Sequence, residues 1–381
     1  MKAQPKLINM MQQLIATPSI SCVNPDIDQS NQPVIDLLAD WLNSLNFNVE
    51  IMPVAKGKAN LIASIGKGDG GLVLAGHTDT VPYDENRWNH DPFKLTESNQ
   101  KFYGLGTSDM KAFFALAIEA SLSFKTEDYK QPLIILATCD EETTMDGAKA
   151  LVNASKPRAR HAIIGEPTGM KPIRMHKGIL MEAIRITGLA GHSSDPSLGH
   201  NALEAMHKII AELMNWRKEL QQQYRNDLFA VPVPTINFGH IHGGDNPNRI
   251  CGACELHIDI RPLPGMDLND LRYELNQRLQ KVLPGNNFKL ETFPLFSGIP
   301  AVETSADCEL IKVAEKLTGH ISGSVAFGTE APYLNQLGMD TLVLGPGDIG
   351  QAHQPDEFLS LSAIEPTVEL LRKFIYRFCV R

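Results

Sequence analysis

The sequence lacks any apolar run near the roughly 20 residues that a bilayer-spanning helix needs, so a transmembrane protein is not expected. It also lacks a basic N-terminal stretch leading into an apolar segment of the secretory kind. Positive charge is in deficit: 35 Lys and Arg face 44 Asp and Glu, for a formal charge of -9. With no local basic patch, binding to nucleic acid or to an anionic membrane is not expected. Cysteine is sparse and scattered, at positions 22, 139, 251, 254, 308 and 379. That is no disulfide framework, and a reduced, cytoplasmic protein is the expectation. The pair Cys251 and Cys254 in "CGACELHID" lies in an alternating, extended stretch without a second pair. It therefore lacks the four ligands of a zinc ribbon and the helix N-terminus that a redox pair favours. Internal repeats and low-complexity segments are absent too.

What is present is an ordinary globular composition, 43% hydrophobic and 21% charged, over 381 residues. That length exceeds one compact core and implies two domains or one with a large insertion. "KLINMMQQLIATPSI" and "QPVIDLLADWLNSL" have helical periodicity, whereas "ANLIASIG", "GLVLAG", "PLIILATCD" and "HAIIGEP" read as strands. Their alternation predicts an α/β sheet with helices on both faces. Near Met181 the texture changes to strand, long helix, two strands, helix and strand, the β-α-β-β-α-β order of a ferredoxin-like unit. "DTLVLGPG" and the helix "AIEPTVELLRKFIYRF" follow it. The expected organisation is thus an α/β domain over 1–180 and 292–381, with an α+β ferredoxin-like insertion over 181–291.

Each buried strand of the α/β part runs into an acid or an imidazole. "GLVLAG" leads to His77 and Asp79, "PLIILATCD" to Glu141 and Glu142, "HAIIGEP" contains Glu166, and "DTLVLGPG" reaches His353 after a short loop. Ligand sites in open α/β sheets lie beyond the carboxyl ends of the strands, so these groups are placed to converge. Asp109, in "GLGTSDMKAFFALAIEAS", sits near the start of an apolar helix.

Singly, each residue has a bland explanation: Asp109 as a helix cap, Glu141 and Glu142 as solvated loop charges, His77 as a satisfied core histidine. Together they have the composition of a metal cluster. Two divalent ions would be balanced by Asp109, Glu142, Glu166 and one hydroxide, with His77 and His353 as neutral ligands. Such a pair, about 3.5 to 4 Å apart, suits hydrolysis, and an N/O donor set without thiolate fits zinc or cobalt better than manganese. Two other classes stay open. The Gly-x-Gly before a helix could signal dinucleotide binding, but it lacks a third glycine and a preceding buried strand, and Asp109 would repel a pyrophosphate. A non-catalytic metal-binding protein would have no use for Glu141 beside a filled ligand set.

"GHTDTVP", "GLGTSDMKAFFA", "TCDEE", "GEPTG" and "DIGQAHQPDE" together resemble the successive metal motifs of the aminoacylase and carboxypeptidase family of two-zinc peptidases. The resemblance spans essentially the whole chain. It implies that His77 and Glu166 hold one ion, Glu142 and His353 the other, and that Asp109 bridges them. It further implies that Asp79 orients His77 and that Glu141 is the general base of amide hydrolysis. The insertion resembles the family's dimerisation domain, so a homodimer is expected, and His192 in "GLAGHSSDP" matches a residue that stabilises the oxyanion in the partner's site. "RMHKGIL", "GGDNPNRICGACELHIDIRPLPG" and "AFGTEAPYL" point to hydrolysis of N2-acetyl-L-ornithine, with succinyl-diaminopimelate, other N-acyl amino acids and dipeptides as alternatives. Arg261 matches the inserted-domain arginine that holds a substrate carboxylate in the family, as a planar fork can, with Asn248 and Lys177 as further candidates. Glu330 would pair the side-chain ammonium, whose desolvation otherwise costs.

Overall fold

The computed structural model describes residues 6–68, 70–283 and 285–381. Its longer strands, in chain order, are β1 (Asn48–Ala55), β2 (Lys58–Ile65), β3 (Leu72–His77), β4 (Leu133–Thr138), β5 (His161–Pro167), β6 (Ile173–His176), β7 (Leu180–Thr187), β8 (Thr235–Gly243), β9 (Ala253–Arg261), β10 (Lys289–Pro294) and β11 (Asp340–Gly345). The chain forms two compact units. One comprises the chain up to Arg174 with Thr304–Gly323 and Thr329–Arg381; the other comprises Met175–Glu303 and Ser324–Gly328. The second unit reaches beyond 181–291 because Ile179 pairs with Ile299 and the Lys177 amide donates to the Val325 carbonyl.

In the first unit the strands run β1-β2-β4-β3-β5-β11-β6. β4, β3, β5 and β11 are mutually parallel, while β1, β2 and β6 join antiparallel. This is a mixed sheet. Every residue of β3, β4 and β5 is buried, as expected of parallel strands covered by helices on both faces. β1 was not legible as a strand: it is half exposed and contains Pro53, which an edge strand tolerates because one side of its backbone needs no partner.

Helix α3 (Ala112–Ser121) is buried nearly all round. Its neighbours are the sheet and the helices α1 (Leu7–Ile15) and α9 (Leu361–Ile375), whose buried faces carry Met10, Met11, Leu14, Leu371 and Phe374. Its Phe113 ring lies against Gly165, where an added Cβ would fall 2.2 Å from the ring. Gly165→Ala is therefore expected to overpack the sheet by about 1–3 kcal/mol and lower the melting temperature. A melting curve unchanged from wild type would contradict that packing.

The second unit is a four-stranded antiparallel sheet in the order β8-β9-β7-β10, backed by α5 (Ala202–Gln223) and α6 (Leu268–Val282). The ferredoxin-like arrangement is thus realised. Burial follows period: Cys254, Leu256, Ile258 and Ile260 alternate along β9, and Leu268, Leu271, Leu275 and Leu279 recur every three or four residues on α6.

Candidate functional site

The four parallel strands of the first unit deliver their carboxyl ends to one edge of the sheet, where an open α/β sheet binds ligands. His77 is the last residue of β3, Glu166 lies in β5, and Glu141 and Glu142 follow β4 by three and four residues. Asp109 is not a helix cap. The cap of α3 is Lys111, and Asp109 lies in the preceding loop.

Asp109 stands between two imidazoles. Its Oδ1 is 3.0 Å from Nε2 of His77 and its Oδ2 is 3.5 Å from Nε2 of His353. Glu166 Oε1 lies 3.6 Å from His77 Nε2, and Glu142 Oε2 lies 3.0 Å from His353 Nε2. One donor atom each of His77, Asp109 and Glu142 fall within 4.8 Å of one another, a grouping that could hold a metal ion. His77 is buried, whereas His353 is 55% exposed, so the cluster opens to solvent on the His353 side.

The cluster crowds several buried carboxyl groups together. Lost hydration pushes Glu142 above its ordinary value and Glu166 well above it, and the charge of Asp109 adds to both. Glu141 is driven well above its usual range by lost hydration first, then by Glu166 and Glu142 against an opposing His77. The groups acting most strongly on these three acids are His77, His353 and other carboxylates, with no lysine or arginine among them. In His77, desolvation lowers the pKa, but the bond to Asp109 and the charges of Glu166 and Asp79 outweigh it and hold the ring well above 6.5. A bound divalent ion would favour the charged carboxylates and the neutral imidazole. The nearby Cys139 is a buried free thiol, and the grouped donors are the nitrogen of His77 and the oxygens of Asp109 and Glu142.

Comparison with known proteins agrees with this geometry. The model of Peptidase family M20/M25/M40 matches residues 73–377. The chain belongs to that family. It is 52% identical over 381 residues to the acetylornithine deacetylase of Pasteurella multocida, with both chains covered completely. It is 51% identical to that of Aliivibrio fischeri strain MJ11 over 98% of this chain and 99% of the relative. The fold is shared with a M20 family metallo-carboxypeptidase from Sulfolobus solfataricus at a TM-score of 0.77, 19% identity and 97% and 98% coverage. It is also shared with a dinuclear metal binding peptidase of the M20 family from Bacillus subtilis, at 0.67, 16% identity and 97% and 96% coverage.

Around this M20 cluster the remaining candidates divide. Asp79 is 1% exposed, but His77 Nδ1 is closer to its backbone carbonyl, at 3.0 Å, than to its carboxylate, at 3.6 Å. The carboxylate instead accepts the Glu142 backbone N–H at 3.1 Å, so Asp79 ties the end of β3 to the segment carrying Glu142. Glu330 is not a solvated loop acid. It precedes helix α8 (Ala331–Gln336), is 1% exposed, bonds to Thr138, and keeps Oε1 buried with no partner among the described residues. Desolvation pushes it up to about 7.

In the second unit the four candidates form two groups. His192 and Asn248 are exposed in adjoining loops, bridged by His192 with Arg249 and by the Ser193 amide donating to the Asn248 carbonyl at 3.1 Å. Lys177 and Arg261 repel each other electrostatically. Lys177 is buried and donates to the Val233 carbonyl at 2.7 Å, while Arg261 Nε donates to Asp259 at 2.9 Å.

Two features escaped the sequence reading. Asp140, at φ 56° beside Glu141, takes a 2.7 Å bond from the buried Lys58 and a 2.8 Å bond from Ser21. Glu357 is a buried acid four residues beyond His353. Its only signal in sequence was a glutamate directly following the motif aspartate.

Proposed function

We propose that this chain is a metal-dependent amide hydrolase that removes the acetyl group from N2-acetyl-L-ornithine to give L-ornithine and acetate. One observation carries the chemistry: the two oxygens of Asp109 face His77 and His353 separately, the placement of a carboxylate shared by two cations. The substrate rests on the relatives named acetylornithine deacetylase, matched end to end at about half identity. In this reading His77, Asp109 and Glu166 would hold one divalent ion, and Asp109, Glu142 and His353 the other. Zinc suits the N/O set, with cobalt as an alternative. When bound, the pair supplies Lewis acidity at the amide carbonyl and acidifies a water.

The chain's own groups do the rest. Glu141, next to Glu142 in the chain, takes a proton from the attacking water and returns it to the departing amine nitrogen. Asp79 fixes His77 and Glu142 relative to each other. Arg261 anchors the α-carboxylate, with Lys177 and Asn248 supporting the same recognition. Glu330 receives the side-chain ammonium, a charge that its unpartnered Oε1 would satisfy.

A panel of N-acyl amino acids, assayed with metal-loaded protein, tests the assignment: N-acetyl-ornithine should give the highest kcat/KM. Glu330→Gln should weaken its hydrolysis much more than that of N-acetyl-methionine, whose side chain is neutral. Preference for a succinylated or dipeptide substrate would overturn the substrate reading. Equal losses on both substrates would make Glu330 a support for the 77–79 segment instead.

We further propose a cytoplasmic homodimer assembled through the inserted unit. β8 supports this, being a largely exposed edge strand, and the six cysteines are all free thiols, suited to a reducing compartment. His192 would then stabilise the oxyanion in the partner's site. Mixing His192→Ala with Glu141→Ala protein should restore activity through heterodimers; verified subunit exchange without recovery would refute the role in trans.

A further inference from the structure

Four hydrogen bonds run from one loop to one residue. The Glu357 carboxylate accepts backbone N–H groups from Gly106 at 3.2 Å, Ser108 at 2.6 Å and Asp109 at 2.9 Å. The Glu357 carbonyl accepts a fourth, from Gly104 at 3.0 Å. Residues 104–109 are thus pinned along their whole length to the segment that follows His353. The preceding Asp356 clamps a different loop: its carboxylate accepts the Asn89 and His90 amides, each at 3.0 Å, and lies 2.9 Å from His90 Nδ1. Consecutive acids therefore anchor the His353 segment in two directions.

The consequence lies in the cluster. Asp109 and His353 arrive from segments that share no strand, yet their side chains approach to 3.5 Å. Among the described residues, Glu357 links the two backbones directly, through the Asp109 amide itself. A carboxylate suits the task because it offers two acceptor oxygens to several converging donors. An amide would turn an N–H pair toward backbone donors.

We infer that Glu357 is a positioning residue: by gathering the amides of Gly106, Ser108 and Asp109, it sets the spacing between Asp109 and His353 and thereby the affinity of the ion they hold. This rests on the proposed metal reading of those two residues. Partners one shell out from a metal characteristically change its affinity by about 10- to 100-fold.

Metal-free protein is titrated with cobalt(II), followed by calorimetry and visible absorption. Wild type should bind the ion, and Glu357→Gln should bind the weaker equivalent about 10- to 100-fold less tightly, with an altered cobalt spectrum. Glu357→Asp, which keeps the charge but shortens the reach, should fall between and carries the test if Glu357→Gln does not fold. Leu359→Ala removes a buried side chain from the same segment without touching these bonds, and should lose stability yet titrate like wild type. Wild-type cobalt affinity and spectrum in both Glu357 variants would overturn the inference, as would an equal weakening in Leu359→Ala. Failure of wild type to bind cobalt would instead overturn the metal reading beneath it.

Discussion

Replacing Glu141 by alanine should slow turnover by about 100-fold or more, the scale of lost general acid and base catalysis, while metal content stays at the wild-type level. The expectation follows from where Glu141 sits. It adjoins Glu142 in sequence and feels His77, Glu166 and Glu142 electrostatically, but among the described residues the close approaches between His77, Asp109, Glu142, Glu166 and His353 are made without it. With those five groups as the proposed ligands, an acid outside their set is free to carry a proton. Glu141→Gln tests the same point with less change of shape. Elemental analysis paired with kcat distinguishes the outcomes: loss of metal along with activity would move Glu141 into the ligand set, and unchanged kcat would remove it from the reaction.

Asp109→Ala should have the larger effect, abolishing activity and reducing bound metal together. Both imidazoles of the cluster face this one carboxylate, so its loss should weaken both ions, and by more than the about 10- to 100-fold that removing an outer partner costs. Chelation of the wild-type protein should reproduce the loss, and added zinc or cobalt should reverse it in wild type but not in Asp109→Ala. Full activity after complete chelation would refute the metal-dependent reading. Retention of two tightly bound ions by Asp109→Ala would refute its shared role.

Much of the site was legible because its information is local. A buried parallel strand is written as a continuous apolar run, and the residue after that run is placed at the strand's carboxyl end. His77, Glu141, Glu142 and Glu166 could be located that way without any coordinates. The insertion announced itself similarly, since a change of element order needs only periodicity to be seen. Where local signals were weak, the reading fell short. The half-exposed β1 with its proline has neither a clean alternation nor a buried run, and the helix start after Asp109 could not be placed to within three residues, so a cap stayed open for Asp109 as the alternative to a metal role.

The sequence by itself determined which residues end the parallel strands and that they are acids and imidazoles, because hydrophobic periodicity and strand direction are encoded residue by residue. Only the tertiary structure decided how these groups meet. Asp109 finds His77 from 32 positions away, and its amide finds Glu357 from 248 positions away. The Asp79 carboxylate accepts the Glu142 amide, Glu330 is buried, and the loop of His192 reaches that of Asn248 through the Ser193 amide. Such partners are chosen by which loops long-range strand pairing brings side by side, and by the need of every buried donor to find an acceptor there. No single segment of the chain contains that choice.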